Sequence, residues 1–68
     1  MKKKEFLSNE ALQMAIQAEI QQYEFYMKMA AECEGDEAHQ MFLDLAAEEK
    51  KHRAKLEDFL HEHFETEN

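Results

Sequence analysis

Residues 30–38 read AAECEGDEA. They hold Gly35, the single glycine of a 68-residue chain that has no proline. Ala, Glu, Gln, Lys, Leu and Met dominate on both sides, all good helix formers, and valine is absent. Gly35 can take the left-handed position that ends one helix, and Asp36 can cap the next. The stretch therefore reads as a turn between two helices. Helix 1 is expected over about residues 9–34, the turn at 35–36 and helix 2 over about 37–64. Ser8 offers an N-cap for helix 1, with Leu7 and Leu12 placed as a hydrophobic staple.

The apolar spacing on either side agrees. Leu12, Ala15, Ile16, Tyr23, Tyr26 and Ala30 recur at helical intervals before the glycine. Ala38, Met41, Phe42, Leu45, Leu56, Phe59 and Leu60 do so after it. So short a turn makes the helices antiparallel neighbours. The fold class is thus all-α, one domain over residues 1–68, built as a two-helix hairpin. A hairpin cannot enclose a core, and chains this small bury only about 60% of their unfolded surface. The apolar stripe should meet a second copy, as a homodimer that forms a four-helix bundle with two-fold symmetry. Helix 1 also carries a second apolar row: Ala11, Met14, Ala18, Phe25 and Met29. That row is either scattered surface hydrophobics or a second contact surface between dimers.

Bulk composition excludes several functions. A net charge of −8 argues against nucleic acid and against anionic membrane surfaces. No segment approaches the roughly 18 apolar residues of a membrane span, and no signal-peptide core follows the basic MKKKEF start. Cys33 is the one cysteine, which rules out an internal disulfide and CxxC metal sites. A lone thiol suits a reducing compartment, so a cytoplasmic location is expected.

Three polar residues lie where the apolar stripes should be. Glu19 falls among Leu12, Ala15, Ile16, Tyr23 and Tyr26. Glu49 and His52, within LAAEEKKH (45–52), fall among Phe42, Leu45, Leu56 and Phe59. Glu19 stands about 16 residues before Gly35 and Glu49 about 14 after it. At 1.5 Å per residue those heights are ~24 and ~21 Å, so the two carboxylates share a layer, and His52 lies one turn on from Glu49. Two-fold symmetry would double the set to four carboxylates and two imidazoles. Unpaired, such a cluster is costly to bury, and two divalent ions would balance its charge. Oxygen-rich ligands with some nitrogen suit iron or manganese, and this ligand set is the one known from carboxylate-bridged di-metal bundles. A bare Glu-x-x-His arises by chance in any Glu-rich helix. Matched heights on two helices make the combination far more specific.

Other residues carry weaker signals. Glu48, at the rim of the stripe one turn before His52, could orient that histidine or simply be solvated. Tyr26 lies on the face of Glu19 and is either beside the metals or core. His39 falls off the stripe and is expected to be exposed. His61 and His63 offer surface ligands or a fraying polar tail, and Cys33 and the methionines read as packing.

AIQAEIQQYEFYMKMAAE (15–32) and MFLDLAAEEKKHRAKLEDF (41–59) together resemble the rubrerythrin branch of the ferritin-like superfamily. The likeness lies in a glutamate seven residues before the tyrosine of a Phe-Tyr pair, followed by LAAEEKKH. It implies that Glu19, Glu49 and His52 are iron ligands, with Tyr26 beside the site. A single helix pair, in place of the two that rubrerythrins carry, resembles the encapsulated ferritins. Those complete a di-iron ferroxidase centre at a dimer interface and assemble into rings of dimers. The end HFETEN resembles no encapsulin-targeting peptide, so an encapsulin shell is not expected, and neither is a rubredoxin-type domain that would donate electrons. The resemblance implies two iron ions per dimer, Glu19, Glu49 and His52 as both metal ligands and catalytic residues, and oxidation of Fe(II) by dioxygen. Alternatives are manganese or another divalent metal, a peroxide reductase with an outside electron donor, and a metal-free oligomerisation or adaptor hairpin.

Overall fold

The computed structural model describes residues 2–64, with side chains from Ser8 onward. Two α-helices, α1 (Lys2–Glu32) and α2 (Glu37–Phe64), pack side by side as an antiparallel hairpin. Among the described residues no helix is long and apolar enough to cross a membrane.

The turn is built as its residues dictate. Gly35 has φ +88°, a conformation that costs a side-chain-bearing residue roughly 1–2 kcal/mol. The Cys33 amide donates to the carbonyls of both Met29 and Ala30 at 3.1 Å, which closes α1. The Asp36 amide donates to the Cys33 carbonyl at 2.9 Å. Asp36 Oδ1 accepts from the Ala38 amide at 3.1 Å, the cap expected at the start of α2. A Cβ on Gly35 would meet nothing within 4 Å, so only backbone strain opposes substitution. Gly35→Ala is therefore expected to destabilise the fold by about 1–2 kcal/mol, and Gly35→Asn by less. Thermal melts at matched protein concentration check this.

Three expectations need correction. Helix α1 starts at Lys2, so Ser8 lies inside the helix and caps nothing. The residues before it contain no breaker, and nothing stops the helix from extending. The side chain of Leu7, and with it the staple, lies outside the described residues, as do residues 65–68. His39 is not free on the surface. It is half-buried, and its Nδ1 donates to the Ala30 carbonyl at 2.7 Å, a second donor beside the Cys33 amide at the end of α1. Finally, α2 ends at Phe64 as expected, and His61 and His63 lie in its last turn and not in a frayed tail. The His63 ring stacks on Phe59 at 4.0 Å and its Nδ1 donates to the Phe59 carbonyl at 3.0 Å.

Burial is thin. Ile16, Ala30, Ala46 and Leu60 are the buried residues among those described. The two alanines lie on the turn side of the Glu19–Glu49 layer, and Ile16 and Leu60 on its open side. The carboxylates are thus held between two stretches of close helix contact. Met41 and Phe59, read as stripe residues, are 62% and 49% exposed, because they occupy the edge of the α2 stripe that turns away from α1. In the second row of α1, Ala11, Met14, Ala18 and Phe25 are exposed, while Met29 is half-buried.

The hairpin measures 51 × 18 × 13 Å, with a radius of gyration of 15.6 Å. A compact domain of this length would have about 11 Å. Its accessible surface is 5477 Å², against roughly 4,500 Å² for a compact monomer of its mass.

Candidate metal centre

Helix periodicity alone delivers the site. Glu49 and His52 are one turn apart on α2, and Glu19 comes from the facing side of α1. His52 Nδ1 lies 3.7 Å from Glu19 Oε1 and 3.7 Å from Glu49 Oε1. One donor atom from each of the three residues falls within 4.8 Å of the others. Ligand bonds of about 2.0–2.2 Å make a coordination sphere ~4–4.4 Å across, so small side-chain rotations place all three on one ion.

Burial grades across the cluster. The side chains of Glu49 and Glu19 are 14% and 23% exposed, and that of His52 is 54% exposed. The carboxylates lie between the helices and the imidazole stands at the open edge. Glu19 Oε1 is buried without a hydrogen-bond partner. At 3.7 Å the His52 nitrogen is too distant to be one. A buried acceptor with no donor is expensive unless a cation serves it. The residues therefore fit a divalent metal: two carboxylates and an imidazole, with an acceptor left open toward the position between them.

Around this cluster the remaining sequence candidates fall into place. Glu48 is exposed, and its Oε1 lies 3.8 Å from His52 Nε2, while its Oε2 lies 3.8 Å from Lys51 Nζ. Tyr26 is half-buried against Phe42, ring centroids 6.2 Å apart, with Phe25 edge-on at 5.6 Å. It belongs to the aromatic packing on the turn side of the site. Lys50 places its ammonium 5.9 Å from the centre of the Tyr23 ring, a contact that composition gave no reason to expect. Cys33 is a half-buried free thiol at the end of α1.

A helical hairpin with an inward glutamate on each helix and a histidine one turn on is half of a ferritin-like carboxylate bundle. A family model described as Rubrerythrin matches residues 10–68, nearly all of the chain. The chain belongs to the rubrerythrin family, within the ferritin-like superfamily. No curated protein and no solved structure matches it.

Proposed function

We propose that two copies pair through the open face of the hairpin, that Glu19, Glu49 and His52 of both copies hold two iron ions, and that this centre oxidises Fe(II) with dioxygen. The observation that carries the reading is Glu19 Oε1, a buried carboxylate oxygen with no donor, in a cluster of three ligand-type side chains.

Pairing is supported by the edge on which His52 stands. Met41 and Phe59 lie 11 residues before and 7 after it, on one row of α2, and all three are about half exposed or more. An apolar row interrupted by a metal ligand suits a partner helix that covers both. The surface in excess of a compact monomer is about 1,000 Å², near the ~800 Å² that each partner contributes to a standard interface. The exposed Met14 and Phe25 lie on another side of α1, where further dimers could meet.

Iron supplies one-electron chemistry toward dioxygen, and two Fe(II) ions give the two electrons that, with two protons, take dioxygen to hydrogen peroxide. The protein's part is positional. Glu19 and Glu49 supply anionic oxygens that favour the more highly charged Fe(III), and His52 adds a neutral nitrogen. Ala46 and Ile16 close the site above and below, which limits water. Manganese fits the same donors.

Anaerobic Fe(II) titration is expected to saturate near one iron per chain. Admitting oxygen should then oxidise the bound iron faster than free Fe(II) in the same buffer. If peroxide oxidises the reduced protein efficiently and oxygen does not, the site is a peroxide reductase served by an outside donor. Absence of iron uptake, with a stable oligomer, would favour the metal-free adaptor reading.

A further inference from the structure

The two ring nitrogens of His52 face different carboxylates. Nδ1 is turned inward, 3.7 Å from both Glu19 and Glu49. Nε2 is turned outward, 3.8 Å from Glu48 Oε1. A neutral imidazole has one donor and one acceptor nitrogen, and metal ligation requires the acceptor. We infer that Glu48 is the positioning residue that holds the proton on the outer nitrogen, Nε2, and so leaves the inward Nδ1 free to ligate. The inference deepens the metal reading above and rests on it.

Glu48 suits this role in three respects. It precedes His52 by four residues, so the helix itself brings the two together. At 3.8 Å its Oε1 is still outside hydrogen-bond distance of Nε2, and because the carboxylate is exposed and free of the inward cluster, a side-chain rotation brings it to Nε2–H without leaving the solvated rim. Its other oxygen lies 3.8 Å from the Lys51 ammonium, and Oε1 is the oxygen turned to the ring. An acceptor on the outer nitrogen fixes the tautomer and the plane of the ring and makes the ligating nitrogen more basic. His52 needs such a brace more than either ligand glutamate does, because its side chain is 54% exposed while those of Glu19 and Glu49 are 23% and 14% exposed. The adjacent glutamates thus divide the work: Glu49 faces the metal and Glu48 faces the histidine.

Cobalt(II) is a suitable probe, since it takes the same ligands and tolerates air. Its affinity is measured for the parent protein, Glu48→Ala and Glu48→Gln, and the exchangeable imidazole N–H of His52 is followed by NMR in the cobalt-loaded forms. Loss of the acceptor in Glu48→Ala should weaken cobalt binding roughly 10–100-fold, as loss of an outer acceptor does in other metal sites. The His52 N–H signal should vanish there, because an outer N–H with no acceptor carboxylate exchanges with water. Glu48→Gln keeps an acceptor oxygen at the same reach and should recover most of the affinity and the signal. Equal affinity in all three proteins overturns the role of Glu48 and leaves the metal site standing. A Glu48→Gln protein as weak as Glu48→Ala also overturns it, since charge or direct ligation would then be what matters. If the parent binds no cobalt, the metal reading falls and this inference with it.

Discussion

Glu19→Met is expected to abolish iron uptake and, at the same time, to make the metal-free protein harder to unfold. In the proposed centre each ion draws on one Glu19, one Glu49 and one His52, and the substitution removes a third of that set. Uptake should fall from about one iron per chain to none within the range where the parent saturates, and Fe(II) oxidation should fall to the rate in buffer. The second effect comes from Glu19 Oε1. In the metal-free protein this oxygen is shielded from water and has no donor. Leaving such a group unsatisfied costs about 1–3 kcal/mol, and methionine has nearly the volume of glutamate with no polar atom to satisfy. A gain of about 1 kcal/mol raises the melting temperature of a domain this small by roughly 4–8 °C. Melts must be run with chelator and at equal protein concentration, because a ligand or a partner shifts the midpoint by mass action. Glu49→Ala and His52→Ala should share the loss of uptake. His52 is half exposed and close to no orphaned donor, so its removal should leave the metal-free melt nearly unchanged. A Glu19→Met protein that still takes up iron would remove Glu19 from the ligand set. One that melts below the parent would mean that Glu19 stabilises the hairpin without metal.

The opposite signs of those two effects explain why the site could be read from sequence at all. A carboxylate at the centre of an apolar stripe disagrees with its surroundings, and helix periodicity reports the disagreement residue by residue. Gly35 then fixes the register. Once the turn is placed, the rise per residue brings Glu19, Glu49 and His52 to one level, and the side chains do meet within 4.8 Å. What stayed hidden depended on finer geometry. Ser8 is a good cap residue, but a cap forms only where a helix ends, and nothing in MKKKEFL ends one. His39 falls off the stripe, yet its ring bonds the Ala30 carbonyl across the turn, a contact between residues nine apart that periodicity does not encode. Met41 and Phe59 carry the spacing of core residues and are largely uncovered. Spacing says which face is apolar. It does not say whether the first neighbouring helix or a second chain covers that face. The assignment of inner and outer nitrogens on His52 was likewise beyond a wheel diagram, since it depends on ring rotation.

Removing the metal is expected to loosen the proposed dimer by orders of magnitude. In the loaded assembly two ions meet four carboxylates. Without them Glu19 and Glu49 of one copy face those of the other across a partly dry seam, where like charges a few ångströms apart repel strongly. Mass action gives the scale. A ligand at 100 times its dissociation constant stabilises the state that binds it by about 2.7 kcal/mol per site, so two sites give about 5.5 kcal/mol, or roughly 10⁴-fold in the dimer constant. Sedimentation over a dilution series, with Fe(II) under anaerobic conditions or with chelator, measures this directly. The loaded protein should stay dimeric to concentrations where the chelated protein has become monomeric. Salt separates the contributing terms. Screening should restore part of the chelated dimer, because its defect is charge repulsion, whereas apolar contacts through Met41 and Phe59 respond little to moderate salt. Glu19→Met supplies the last constraint: with two of the four carboxylates gone, its dimer should be less sensitive to chelator than the parent's. A dimer constant indifferent to metal in the parent would place the cluster within each hairpin alone, and the pairing of sites across two chains would have to be given up.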